Sequence, residues 1–68
     1  MWIDITDREP ENMQMVLICV YFKISERRIV AYGHREGEEW AVTDFYGNSR
    51  IERSNVTHWM PIPEPPKE

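Results

Sequence analysis

Met15-Val16-Leu17-Ile18-Cys19-Val20-Tyr21-Phe22 is the longest apolar run in the chain. It is rich in β-branched and aromatic residues at both alternating positions, which predicts a central strand covered on both faces. The polar stretch Lys23-Ile24-Ser25-Glu26-Arg27 interrupts it, and Arg28 to Arg35 resumes as a second strand paired to the first in a hairpin. Gly37, between Glu36 and Glu38, supplies a position free to take positive φ. A third alternating segment then runs from Glu39 to Tyr46. Gly47-Asn48 reads as a type II′ turn pair followed by an irregular stretch from Ser49 to Ser54, and Val56 to Met60 closes the sheet as a short strand stopped by Pro61.

The ends differ from this meander. Trp2-Ile3-Asp4-Ile5 fits a short edge strand, and Thr6-Asp7-Arg8-Glu9 has the spacing of a capping box, although Pro10 limits any helix there to about one turn. Pro61-Ile62-Pro63-Glu64-Pro65-Pro66 favours extended polyproline II, its rings placed to cover the indoles of Trp59 or Trp2. The expected fold is therefore mainly β: a small curled antiparallel sheet of four to five strands around Val16, Ile18, Val20, Val30 and Trp40, with almost no helix. Residues 1–68 form a single domain, with a β core over 1–60 and the proline-rich tail of 61–68 packed on it.

Length narrows the picture. A chain of 68 residues has little core, and its one cysteine, Cys19, excludes an internal disulfide, so association of copies is the expected source of extra stability. No secretory leader or membrane-spanning run is apparent, which with the single cysteine points to a reducing cytoplasm. A net charge of −4 lacks the basic surface that DNA or RNA binding needs.

Candidate chemistry is sparse. Cys19, His34 and His58 fall on three separate strands without metal-ligand spacing, and neither a catalytic constellation nor a phosphate-cradling glycine loop is present. No enzymatic activity, cofactor or metal is expected. Glu36, Glu38 and Glu39 read as solvated charges at a hairpin tip. Arg28, Arg35 and Arg50 fall near Tyr32 and Trp40, a pairing that serves either a solvated β surface or a nucleotide pocket in which guanidinium groups clamp phosphate and rings stack a base. Trp59 and Pro63 are the candidate contacts for a protein partner.

Trp2-Ile3, Asp7-Arg8-Glu9-Pro10-Glu11, the strand Val16-Leu17-Ile18, Trp40 and the closing Val56-Thr57-His58-Trp59-Met60-Pro61-Ile62-Pro63-Glu64-Pro65-Pro66 together resemble a family of short phage and prophage proteins known as domain of unknown function 551. That family usually carries a glycine shortly after the first proline, where this chain has Asn12-Met13. Asn is the next-best residue for a left-handed position, so the turn is expected to survive. The resemblance implies a phage-encoded protein acting in a bacterial cytoplasm and implies no reaction. With it, the expected function is a non-enzymatic binding module that modulates or counteracts a host protein, such as a defence component. The alternative is an oligomeric binder that sequesters a nucleotide immune signal.

Overall fold

The computed structural model describes residues 1–44, 47–63 and 65–66. They form one open antiparallel sheet of six strands: β1 (Ile3–Asp4), β2 (Val16–Phe22), β3 (Arg27–Glu36), β4 (Glu39–Asp44), β5 (Gly47–Glu52) and β6 (Val56–Pro61). The order across the sheet is β1-β6-β2-β3-β4-β5, which places β2 and β6 side by side and leaves β1 and β5 as edges. The one helical element among the described residues is a 3-10 turn over Arg53–Asn55.

The mainly β fold is as expected, but the sheet has six strands where four to five were expected. The additional strand, β5, comes from the stretch read as a turn followed by irregular chain. Its sequence, Gly-Asn-Ser-Arg-Ile-Glu, lies on an edge and partly buries only Ile51, so it carries no hydrophobic alternation to reveal it. Gly47 and Asn48 are its first two residues, with Gly47 at φ +119°. The expected end of the preceding strand, Phe45 and Tyr46, lies outside the described residues.

Two other expectations are corrected by register. In the β2–β3 hairpin the turn is Lys23 to Glu26, with Glu26 at φ +53°, and Arg27 already belongs to β3. Val30 is not a core residue: it pairs with Cys19, whereas Val16, Ile18 and Val20 pair with Gly33, Ala31 and Ile29, so Val30 points to the opposite face and is 61% exposed. Because side chains alternate strictly along a strand, one position decides which face a residue occupies.

The core lies on one face. Val16, Ile18, Val20, Ala31, Trp40, Val42, Val56 and Trp59 are buried there, with Ile3, Ile5, Phe22, Ile29 and Ile51 packed around them. Gly33 lets β4 close over β3: a Cβ at this position would lie 2.2 Å from the Ala41 carbonyl oxygen and 3.0 Å from Val42 Cα, both backbone atoms. On β6, a bulge places Val56 opposite Val20 although His58 is opposite Cys19. Thr57, the additional residue, donates its hydroxyl to the Cys19 carbonyl at 3.3 Å.

The chain between β1 and β2 covers this face. It begins with a turn organised by Asp4 rather than by the expected cap at Thr6. Asp4 Oδ1 accepts bonds from the Thr6 backbone N–H (2.9 Å) and hydroxyl (2.7 Å), and the Asp4 carbonyl accepts from Asp7 and Arg8. The Arg8 carbonyl then accepts the Trp59 indole N–H at 2.7 Å, and the buried Pro10 offers its carbonyl to the Arg35 guanidinium. Trp59 and Arg35 belong to strands on either side of β2, so residues 8–10 bridge the core face. Met13 carries the left-handed backbone, at φ +71°, while Asn12 uses its side chain to accept the Gly37 N–H at 3.0 Å.

Candidate functional site

The opposite face of the sheet carries the positions that alternate with the core. From β2 come Leu17, Cys19 and Tyr21, all half-buried, and the register sets Tyr32, Val30 and Arg28 of β3 against them. On the other side of β2, Met60 and His58 of β6 lie opposite Leu17 and Cys19. Met15 and Tyr32 are each 45% exposed. The apolar residues Met15, Leu17, Cys19, Val30, Tyr32 and Met60 therefore lie together on the face opposite the core. The central strand is covered on one face, not on two as its sequence suggested.

Charged residues rim this strip. At the β1–β6 end, His58 faces Asp4, with Nε2 and Oδ2 4.0 Å apart. The hydrogen bonds from Thr6 hold the Asp4 carboxyl below its ordinary range, with a smaller contribution from His58. At the β2–β3 hairpin, the Arg28 guanidinium lies 4.6 Å from the Tyr21 ring centroid, a cation–π contact. Toward β5, Glu36 lies 2.6 Å from His34 Nε2 and 2.9 Å from Arg50 Nη1, and Arg50 also reaches Glu39 at 3.6 Å. The His34 hydrogen bond, followed by that of Arg50, lowers the Glu36 carboxyl below the usual glutamate range. Between His34 and Arg50 stands the small Ala41, and a shallow groove of about 450 Å³ runs over it, bounded by Met15, Thr43 and Asn48.

The sequence-selected arginines and aromatics divide between the two faces. Arg28, Tyr32 and Arg50 lie on the open face, with Arg28 on the Tyr21 ring and Arg50 between two glutamates. Arg35 and Trp40 are cross-strand partners on the core face. Arg35 bonds to Pro10, and Trp40 is fully buried, so its ring offers no face to a base. Arg53 joins Glu9 at 2.6 Å and Glu38 at 3.2 Å. Trp59 is 3% exposed, with the Arg8 guanidinium 5.4 Å from its ring, and Pro63 is exposed beyond the end of β6. Cys19 and His58 are brought opposite each other, but His34 lies elsewhere, and no metal-binding group forms among the described residues.

The apolar strip itself was missed as a site. Its signal was present in the run Met15 to Phe22, which is apolar at both alternating positions and so has a second hydrophobic face to place.

A single open sheet with its core on one face and an apolar strip on the other defines a small all-β protein. The chain belongs to the family described as protein of unknown function DUF551, whose model matches residues 1–67. No curated protein and no solved structure matches the chain.

Proposed function

We propose that this is a phage-encoded, non-enzymatic binding module that acts in the bacterial cytoplasm by gripping a host protein through the open face of its sheet. The observation that carries this is the strip of Met15, Leu17, Val30, Tyr32 and Met60 beside β2, apolar residues gathered on one surface and rimmed by charges of both signs. A contiguous apolar patch with a polar rim is characteristic of protein interaction sites. Protein docking also explains the two-sided hydrophobicity of β2, since the second face becomes covered on association. Pro63, Pro65 and Pro66 are exposed beyond β6 and would add a second contact.

The nucleotide alternative has weaker support, because Arg35 and Trp40 turn to the core face and Trp40 is fully buried. The test is parallel capture from a bacterial lysate with the unmodified chain and with the Val30→Glu, Tyr32→Ser double variant, after circular dichroism has confirmed that both fold. A host protein retained by the former and lost by the latter is expected. Equal capture by both, or thermal stabilisation of the unmodified chain by a phosphate-bearing nucleotide without any such protein, would contradict the proposal.

A further inference from the structure

The edge strand β5 offers a second surface, distinct from the open face. Its free hydrogen-bonding groups follow from ladder alternation. Glu36 and Glu39 are partners across the two-residue turn Gly37-Glu38, so they exchange backbone bonds, as do the alternate pairs His34 with Ala41 and Tyr32 with Thr43. Trp40, Val42 and Asp44 therefore turn their N–H and C=O groups toward β5, where Ile51, Ser49 and Gly47 meet them. The backbone groups of Asn48, Arg50 and Glu52 point outward from the sheet edge. Among the described residues these three outward-facing positions along a six-residue strand make a template for strand addition, whereas β1 at the other edge is only two residues long.

The charges on this edge have a particular order. Glu36, Glu39 and Glu52 are successive cross-strand partners, so three carboxylates stand in one row across β3, β4 and β5. Like charges directly opposite one another are unfavourable, and a cation continuing the row would relieve them. Arg50 stands in the adjacent row, after His34 and Ala41, and reaches diagonally to Glu36 and Glu39. Glu52 has no ion-pair partner among the described residues.

We propose that β5 pairs antiparallel with β5 of a second copy of the chain, about a two-fold axis through Ile51. Ile51 then faces the partner's Ile51 on the core side, while Arg50 faces the partner's Glu52 and Glu52 the partner's Arg50 on the other side. Arg50 and Glu52, both with outward backbone groups, form hydrogen-bonded pairs in this register, and the Ile51 pair is the close, non-hydrogen-bonded kind. Shifting the axis to Arg50 would oppose two arginines, and shifting it to Ser49 would take Glu52 away from any arginine, so complementarity of charge selects Ile51. Each arginine of the pair continues the other copy's carboxylate row. Edge pairing of this kind makes a continuous sheet of twelve strands from two of six. Because the axis stands perpendicular to the sheet, both open faces lie on the same side, and a partner with two sites would be held bivalently. The pairing itself does not depend on the docking role of those faces.

Charge reversal tests the register. Sedimentation velocity should show the unmodified chain as a dimer at high micromolar concentration, and Glu52→Arg and Arg50→Glu should each weaken dimerisation by about tenfold or more. Either variant alone opposes like charges across the axis, but a mixture of the two opposes unlike charges, so mixing should restore a heterodimer. A second measurement stands if one variant fails to fold. In a Cys19→Ser background, Ile51→Cys should form a disulfide-linked dimer under mild oxidation, because a close cross-strand pair satisfies disulfide geometry. Ser49→Cys should not, since its copies lie four residues apart along the ladder. A monomeric unmodified chain, a mixture that forms no heterodimer, or equal cross-linking at both positions would overturn the proposal.

Discussion

The two faces of the sheet are built from the same strands yet end differently. On one, Val16, Ile18 and Val20 are fully buried; on the other, their neighbours Leu17, Cys19 and Tyr21 remain half-exposed. Hydrophobicity does not distinguish them, since both sets are apolar. What differs is the segment between β1 and β2, which crosses one face and bonds to Trp59 and Arg35 through the carbonyls of Arg8 and Pro10. That segment covers one face only, which leaves the other as the face the proposed docking would use.

The largest effect should come from breaking the closed face at Gly33. Gly33→Ala sets a methyl group against the Ala41 carbonyl and Val42 Cα, neither of which can rotate away. A loss of about 3 kcal/mol is expected, enough to unfold much of the population of a domain this small, and urea melts would show it. Trp59→Phe removes the indole N–H that anchors the covering segment and leaves the Arg8 carbonyl without its donor. This should cost about 2 kcal/mol in the same melts.

Met13→Gly should act in the opposite direction. At φ +71° the methionine backbone pays a steric penalty that glycine lacks, and its side chain is 58% exposed, so a gain of about 1 kcal/mol is expected by thermal melting. The smallest effect concerns the rim of the open face. Because the Glu36 carboxyl is held below its ordinary range in the folded state, its contribution is complete at pH above that range and is lost as pH falls through the lowered native value. Glu36→Gln should flatten the acid limb of a stability–pH profile and leave the neutral region nearly unchanged.

Much of the fold was legible because periodicity and turn chemistry agreed. The runs at β2, β3 and β4, the positive φ at Gly37 and the closing strand β6 all follow from residue type, although β6 includes Pro61, which was expected to stop it. The errors arose where local chemistry and tertiary position part. β5 is polar because it is an edge, so no pattern marks it as a strand. Val30 looks like core by composition, and only register, set by the pairing of Cys19 with it, sends it outward. At the turn before β2, asparagine was the natural choice for left-handed backbone, yet Met13 takes that conformation while Asn12 is used as a hydrogen-bond acceptor. The candidate arginines and rings were close in sequence, but Arg35 alternates against Tyr32 along β3 and so belongs to the other face.

The difference between the faces can be measured with thiol labelling of single-cysteine variants. In a Cys19→Ser background, Val30→Cys places the reporter on the open face and Val42→Cys places it in the buried core on the other face, at positions 61% and 3% exposed. Under native conditions the first should react at a rate close to that of a free thiol. The second should react only through opening of the fold, at least about a hundredfold more slowly if opening costs 3 kcal/mol. Comparable rates at the two positions would contradict a sheet with one closed and one open face.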